Sequence, residues 1–274
     1  MAILLNKMEY KEMINVIDRE LDKRKWGIRE KRRGKRPFYY ILDYRALGLV
    51  TGIIRYCFEN NDVRIFYRGQ RRNWPLIPSL YRNCQNGSEI KAANKWREEA
   101  LAAIATCFDK DGKPDEREAL AQHYGLKTQL IDVADNIQTA LWFAYDECKG
   151  DEFSSEQGGS VGYIHVIAVP SKEADIIDLR RKPSEWLRPH VQQGFSVRFH
   201  KPEKKKGDRS EYIIATFVLH CLNLRLWSNY DNIPHEYFYP YEETDRGLYY
   251  WNEAKKILTD KGLINKEGNA IWHD

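Results

Sequence analysis

The residues best suited to chemistry begin with Arg68, Gly69 and Gln70, which follow the β-prone run Ile65-Phe66-Tyr67. Arginine presents a planar, permanently charged fork that matches a phosphate or a carboxylate. Glycine lets the backbone turn or lets a ligand approach closely. The pattern therefore indicates an anion-binding strand end. Its plainer interpretation is a strand that ends in one structural ion pair.

A second set of reactive side chains lies between Gln122 and Asp132. This stretch is typical of a helix that Gly125 ends, followed by a short strand and a capped helix. It places His123 at the helix C-terminus, and it places Thr128 and Asp132 on the strand and turn that follow. His123 and Asp132 also have structural explanations. The helix dipole favours a cation at that end, and Asp132 can bind the backbone amides of a turn.

The composition predicts a soluble globular chain. Of its 274 residues 42% are hydrophobic and 13% aromatic, which is enough to bury a sizeable core. The five scattered cysteines form no C-x-x-C pair and no secretory leader is present, so we expect reduced thiols and a cytoplasmic location. No zinc-type histidine spacing and no run of about 18 apolar residues occurs, so we expect neither a metal site nor a membrane span.

Basic residues are concentrated in two segments, although the net charge is only +4. Lys23–Arg36 holds nine basic residues and one acid, and Lys201–Arg209 holds five basic residues and two acids. Each segment is either a solvated surface or a phosphate-facing one. RNA or DNA is therefore a candidate partner. The sequence leaves open an inhibitor protein as a further partner.

Apolar periodicity predicts an α+β fold. We expect a single mixed domain with a central, split antiparallel or mixed sheet flanked by helices, plus a helical and basic N-terminal extension. The expected limits are 1–60 for the extension, 61–250 for the main domain and 251–274 for a C-terminal helix and tail. Expected strands are 63–67, 126–133, 161–169 and 213–219; expected helices are 8–26, 88–108, 116–124, 137–148 and 252–258. The basic segment after the first helix is expected to be a loop or arm.

Several of these stretches resemble the FRG domain, over residues 63 to 250. The specific matches are Phe66 to Gln70 with Trp74 and Pro78-Ser79-Leu80, then Ala121 to Leu126 with Thr128, Leu130 and Asp132, and Ala140-Leu141 with Phe143-Ala144. Looser matches are Arg188 with Gln192, Gly194 and Phe195, and the segments Ile233-Pro234 and Phe238-Tyr239-Pro240. The order of Arg68-Gly69, Thr128 and Ala140 to Ala144 is also similar to ADP-ribosyltransferases, which hold NAD at such a strand end.

The second resemblance implies NAD as a substrate and an ADP-ribosyltransferase-like sheet. Arg68 would hold the pyrophosphate and Tyr124 would lie against the nicotinamide. The implied catalytic residues are Arg68, His123, Asp132 and Gln192, and the implied NAD-binding residues are Tyr67, Arg68, Gly69, Gln70, Tyr124 and Thr128. Such enzymes usually need a glutamate on a late strand. Neither Gln192 nor Glu211 is a convincing equivalent, since a glutamine cannot act as a base.

Four functional hypotheses follow. The first is an NAD-dependent ADP-ribosyltransferase-like enzyme, a bacterial toxin or anti-phage effector, whose acceptor is nucleic acid rather than protein. The second is a non-catalytic nucleic-acid or nucleotide binding module on the same scaffold. The third is a nuclease or other hydrolase that acts through His123 and Asp132, although the sequence lacks a cluster of acids for a metal. The fourth is a structural partner in a larger system.

Overall fold

The computed structural model describes residues 28–33, 36–148, 161–200, 207–265 and 267–271. The strands in these ranges are β1 (Ile28–Arg33), β2 (Arg36–Ile41), β3 (Val63–Gln70), β4 (Ile131–Ala134), β5 (Val161–Pro170), β6 (Ala174–Asp178), β7 (Gly194–Phe199) and β8 (Ile213–His220). The α-helices are α1 (Tyr44–Phe58), α2 (Gly87–Ile104), α3 (Pro114–Tyr124), α4 (Ile137–Cys148), α5 (Leu187–Val191), α6 (Cys221–Trp227), α7 (His235–Phe238) and α8 (Arg246–Asp260). Short 3₁₀ turns lie at Ser79–Tyr81, Leu179–Arg181 and Ser210–Tyr212.

The chain divides into two compact units, and each unit is assembled from three separate segments. The first unit comprises Met1–Trp74, Ala134–Ala174 and Ser210–Ile233. The second unit comprises Pro75–Val133, Asp175–Arg209 and Pro234–Asp274. The two units are described separately below.

The first unit contains a mixed sheet in which the strands follow the order β1-β2-β8-β5-β3. Neighbouring strands are antiparallel except β2 and β8, which are parallel. Thr216 of β8 pairs with Phe38 of β2 and with His165 of β5. His165 in turn pairs with Arg68 of β3. Directly paired residues share a face of a sheet, so these four side chains form one row across four strands.

The opposite face of this sheet carries the apolar core of the first unit. Tyr67, Val166 and Phe217 are buried there with residues of α1, α4 and α6. Side chains alternate along a strand, so Tyr67 enters the core while its neighbours Phe66 and Arg68 face the other way.

Helix α4 approaches this sheet closely, and the residue that permits it is Gly69. A Cβ atom on Gly69 would lie 1.9 Å from the carbonyl oxygen of Ala140 and 2.7 Å from the backbone nitrogen of Ala144. A Cβ on Gly162 of the neighbouring strand would lie 3.2 Å from the carbonyl oxygen of Ala144. Two glycines and two alanines thus let a helix lie directly on two strands. The close approach predicted at Gly69 is made by a helix of the chain itself.

The second unit packs helices α2, α3 and α8 around an aromatic core and includes strands in the order β4-β7-β6. The ring of Phe108 makes edge contacts with Tyr124 at 6.2 Å, Trp186 at 5.0 Å and Trp251 at 5.8 Å between centroids. These geometries are the favourable ones for aromatic pairs. The indole nitrogen of Trp96 donates to the carbonyl of Leu263, 2.7 Å away, and so satisfies its polar atom inside the core.

The predicted α+β class with a mixed sheet and flanking helices is confirmed, and several element limits need correction. The expected basic loop is wrong where it is described, because residues 28–33 and 36–41 are paired strands. Asn86 caps α2, which spans Gly87–Ile104 rather than the expected 88–108, and only the last part of the expected strand 126–133 is strand, as β4. The expected helix at 8–26 lies outside the described residues. The predicted domain limits at 60 and 250 stay a prediction, and a separate N-terminal extension is not confirmed.

Within the described ranges, no helix combines the length and apolar character needed to cross a membrane.

We expect Gly69→Ala to destabilise the first unit, because the new methyl group would overlap the Ala140 carbonyl. Overpacking a tight interior typically costs about 1–3 kcal/mol, and a backbone obstacle places this site at the upper end. Urea denaturation followed by circular dichroism would measure the change. The matched control is Gly52→Ala on α1, where no atom lies within 4 Å and the expected change is a gain of about 0.5–1 kcal/mol. Equal stability of the two variants would contradict the assignment.

Candidate functional site

The carboxylate of Asp132 is the centre of a polar cluster in the second unit. Its Oδ1 atom accepts hydrogen bonds from Gln122 Nε2 at 2.6 Å and from Ser196 Oγ at 2.9 Å. His123 Nε2 lies 3.6 Å from the same oxygen. The Asp132 side chain is 36% exposed, so the carboxylate is both fixed by its neighbours and open to solvent. We call these residues, together with Thr128, the Asp132 cluster.

Three elements bring the Asp132 cluster together. Gln122 and His123 lie in the last turn of α3, which Gly125 ends with a backbone φ of 123°. A glycine is favoured at this position because the conformation is strained for other residues. Asp132 lies on β4 and Ser196 on the adjacent strand β7. The helix end and two neighbouring strands therefore converge on one carboxylate.

Thr128 fixes the orientation of the Gln122 amide. The Thr128 hydroxyl is fully buried and donates a short hydrogen bond to Gln122 Oε1. The same hydroxyl accepts from the backbone nitrogen of Leu130 at 3.1 Å. Because the amide oxygen of Gln122 is bound to a donor, its NH₂ group is directed at Asp132. Thr128 is therefore a supporting residue in this structure, one contact removed from the carboxylate.

The imidazole of His123 is held in a narrow space. Its side chain is only 5% exposed, and Nε2 is buried without a hydrogen-bond partner among the described residues. A Cβ atom on Gly194, the first residue of β7, would lie 2.5 Å from His123 Cε1. The absence of a side chain at Gly194 thus makes room for the ring. An unpartnered nitrogen beside a carboxylate can exchange a proton with a ligand that reaches it.

Ion pairs hold α3, the helix that carries Gln122 and His123. Glu118 is buried and accepts from Arg198 at 2.8 Å and from Arg97 at 3.4 Å. Lys182 lies 2.8 Å from Asp109 and 3.1 Å from Glu116. Buried pairs of this kind fix position more than they add stability. Arg97, a basic residue at an otherwise apolar position of its helix, thus has a structural role as a partner of Glu118.

Tyr124 is placed as a structural residue. Its hydroxyl donates to the buried carboxylate of Asp245 at 2.7 Å, and the Arg188 guanidinium lies over its ring at 4.7 Å. Burial and then the hydrogen bond to Asp245 raise the pKa of the Tyr124 hydroxyl. Arg188 also donates to the carbonyl of His123 at 3.1 Å. These contacts account for Tyr124 and Arg188 without a ligand, and the predicted contact of Tyr124 with nicotinamide stays a prediction.

Gln192 is also bound within the second unit. It is buried, and its Nε2 donates to the carbonyl of Phe238 at 2.7 Å. This bond ties the segment before β7 to helix α7. Gln192 thus contacts the backbone of the predicted C-terminal motif, and its predicted catalytic role stays a prediction.

The remaining predicted residues belong to the first unit. Arg68 and Gln70 lie on the same face of β3, whereas Tyr67 lies in the core on the other face. Burial raises the pKa of the Tyr67 hydroxyl to about 12. Gly69 makes the helix contact described above. Of the four predicted NAD-binding positions on β3, Tyr67 thus packs in the core and Gly69 against α4, and the predicted NAD contacts of all four stay a prediction.

The two basic segments are described only in part. Within Lys23–Arg36, the structure describes residues 28–33, which form β1, and residue 36, which begins β2; β1 ends the strand order of the first unit. Of Lys201–Arg209, residues 201–206 lie outside the described residues. Arg209 is buried, so its guanidinium is not part of an exposed surface.

Comparison with known families supports part of the predicted resemblance. The family model of the FRG domain matches residues 63–152, from β3 through α4. This range contains the Arg68 strand end, the His123 helix end, Asp132 and the alanines of α4. No curated protein and no solved structure matches the chain significantly. The resemblance to ADP-ribosyltransferases is therefore not shown, and the looser motifs beyond residue 152 lie outside the match.

Sequence reasoning missed Ser196 as a member of the cluster. The available signal was a single polar residue between Phe195 and Val197 in a strand whose other side chains are mostly apolar. Such a residue needs a hydrogen-bond partner when buried. Its partner is Asp132, 64 positions earlier in the chain, and a single sequence does not indicate that pairing. Among the described residues, no group of three or more histidines, cysteines or acids is placed to hold a metal ion.

We expect Thr128→Val to destabilise the second unit more than Thr128→Ser. Valine keeps the size of the side chain but leaves Gln122 Oε1 and the Leu130 amide without their buried partner, at a cost of about 1–3 kcal/mol. Serine keeps the hydroxyl and loses one methyl group, worth about 0.8 kcal/mol. Urea denaturation of the two variants measures the difference. If the valine variant is at least as stable as the serine variant, the hydroxyl does not support the Asp132 cluster.

Proposed function

We propose that this protein is an NAD-dependent ADP-ribosyltransferase-like enzyme in which Asp132 is the essential carboxylate. One observation carries the proposal. Asp132 is fixed by donors from a helix end and a neighbouring strand, yet over a third of its side chain is exposed. A carboxylate held in this way is available to a ligand at a defined position. It supplies the acidic group that the sequence motifs alone left without a convincing candidate.

The reaction explains why a fixed carboxylate is useful. Cleavage of the bond between nicotinamide and ribose leaves positive charge on the ribose, and nicotinamide departs with the bonding electron pair. The acceptor then forms the new bond to the ribose carbon and gives up a proton. Asp132 would stabilise the positive charge, and the unpartnered Nε2 of His123 would take the proton from the acceptor. Pre-arranged charges of this kind are a major source of rate enhancement.

Arg68 has the chemistry for the pyrophosphate of NAD. Its guanidinium lies at the end of β3, on the face that also carries Gln70. Guanidinium groups bind phosphate oxygens in a bidentate manner. The match of residues 63–152 to the FRG family model includes both Arg68 and Asp132. A role as a bacterial toxin or anti-phage effector is part of the same proposal.

We expect Asp132→Asn to lower the rate of nicotinamide release from NAD by about 100-fold or more, because a neutral amide cannot stabilise the positive charge that develops on the ribose. Release would be measured by chromatography with RNA, DNA or cell extract as acceptor. The control is Asp111→Asn, the same chemical change in an exposed turn, which should leave the rate unchanged. Circular dichroism would verify that both variants are folded. Wild-type protein that releases no nicotinamide and transfers no label with any acceptor would overturn the proposal.

A nucleic-acid acceptor, or plain nucleic-acid binding, is the second candidate. The observation that favours it is that the described part of the first basic segment, residues 28–33 and 36, belongs to β1 and to the start of β2, and β1 ends the strand order. The sequence of this segment is rich in lysine and arginine, the residue types that contact phosphates. This candidate holds whether or not the protein consumes NAD.

We expect replacement of Lys31, Arg32, Arg33, Lys35 and Arg36 by glutamine to flatten the salt dependence of RNA or DNA affinity. Each lost contact with duplex DNA should lower the slope of log affinity against log salt by about 0.9. Fluorescence anisotropy at several salt concentrations measures the slope. The control replaces five exposed lysines elsewhere, Lys91, Lys95, Lys110, Lys256 and Lys261, by glutamine. Equal slopes for the two variants would show that β1 and β2 do not contact the phosphates.

A further inference from the structure

A buried histidine orients the amide of Gln70. His165 lies on β5 in the first unit and is only 1% exposed, and Gln70, the last residue of β3, is 5% exposed. The Nε2 atoms of the two side chains are 2.7 Å apart. Gln70 Nε2 is also 3.0 Å from the carbonyl oxygen of Trp74, and His165 Nδ1 is 3.0 Å from the hydroxyl of Thr216.

One assignment of hydrogens satisfies these contacts. The carbonyl of Trp74 only accepts, so the NH₂ group of Gln70 must be the end that faces it. The second hydrogen of that NH₂ group then points to His165 Nε2, which must accept and carries no hydrogen. The neutral ring therefore has its hydrogen on Nδ1, where it donates to the Thr216 hydroxyl. His165 Nε2 also lies 3.0 Å from the Trp74 carbonyl, and in this assignment that contact is not a hydrogen bond.

The carbonyl oxygen of Gln70 is left available. Both amide hydrogens are committed, and Oε1 accepts no hydrogen bond from the residues that the structure describes. Gln70 as a residue is only 5% exposed, and an amide oxygen without a partner in such a residue gains from a donor that a ligand or water supplies. Arg68 lies two residues earlier on the same face of β3 and directly opposite His165. The oxygen therefore belongs to the surface that holds the proposed pyrophosphate ligand.

We infer that Gln70 is a specificity-determining residue that offers Oε1 to a hydrogen-bond donor of the ligand, and that His165 is the positioning residue that keeps the amide in this orientation. The identity of the ligand rests on the proposed function. In NAD the available donors are the carboxamide NH₂ of nicotinamide and the ribose hydroxyls. A ligand with an acceptor or a negative charge at this position would be disfavoured.

The affinities of three ligands would show which hydrogen-bond donor of NAD contacts Gln70 Oε1. Titration calorimetry would compare NAD, nicotinic acid adenine dinucleotide, which lacks the carboxamide donors, and ADP-ribose, which lacks the whole base. We expect Gln70→Met to weaken NAD binding by about tenfold, the effect of one lost hydrogen bond. An unchanged affinity for ADP-ribose would assign the donor to the carboxamide, and an equal loss would assign it to a ribose hydroxyl. If Gln70→Met weakens neither ligand, the inference is wrong.

Variants of Thr216 test the positioning role. Thr216→Val keeps the shape of the side chain and removes the acceptor for the His165 Nδ1 hydrogen, whereas Thr216→Ser retains it. We expect the valine variant to lose the preference for NAD over the acid analogue about as far as Gln70→Met does, and the serine variant to keep it. A purely structural role would change the melting temperature without changing this preference. Equal preference in the two Thr216 variants would overturn the positioning role.

A measurement without ligand tests the same geometry. Nitrogen-15 NMR of the imidazole rings, with the His165 signals assigned by their loss in His165→Phe, reports which ring nitrogen carries the hydrogen. We expect the Nδ1–H form at neutral pH, and the Nε2–H form would contradict the assignment. If the wild-type protein binds none of the three ligands, the proposed function and the ligand part of this inference both fail. The NMR result still decides whether His165 orients Gln70.

Discussion

The first unit depends on one close contact between backbones. The carbonyl oxygen of Ala140 on α4 occupies the position where a side chain of Gly69 would begin. This contact allows a helix to lie against two strands with only small residues between them. It also fixes β3, so that the side chains at positions 68 and 70 project from the opposite face. The presence of Gly69 next to Arg68 is thus explained by the packing of α4 against β3.

The Asp132 cluster follows a similar logic in the second unit. Gly125 ends α3 with a positive φ, and Gly194 at the start of β7 leaves the space that the His123 ring occupies. The carboxylate that results has donors from two elements and a histidine beside it. Hydrogen bonds from fixed neighbours reduce the freedom of a charged side chain before any ligand arrives. That property is what a binding or catalytic group requires.

Local patterns predicted much of the fold and part of the site. A strand from Val63 to Tyr67, the helix at Ile137–Cys148 and the glycine stop at Gly125 were predicted from apolar spacing and turn residues, and in the structure the strand continues to Gln70. The basic segment was assigned wrongly, because Gly34 and Pro37 suggested a loop and the parallel partner of β2 lies some 180 residues later in the chain. Pairing over such a distance leaves no local signal.

The same limit applies to the site. His123, Thr128 and Asp132 were found because they are close in the sequence, and the structure places them together. Ser196 was missed because its partner is distant. Tyr67 and Gly69 were assigned to NAD binding from a resemblance, and the structure adds that Tyr67 packs in the core and that Gly69 accommodates a helix. A sequence motif picks out a set of residues. Only their neighbours in the structure distinguish a residue that supports the fold from one that could contact a ligand.

The pairing of β2 with β8 also constrains how the chain reaches its native state. During synthesis β2 emerges early, but its partner residues on β8, around Thr216, are made only about 180 residues later. The central part of the first unit therefore cannot close until β8 has been synthesised. Until then the edges of the early strands remain unpaired. Contacts between residues that are far apart in the sequence also form slowly. Production of this protein should consequently be sensitive to the supply of chaperones.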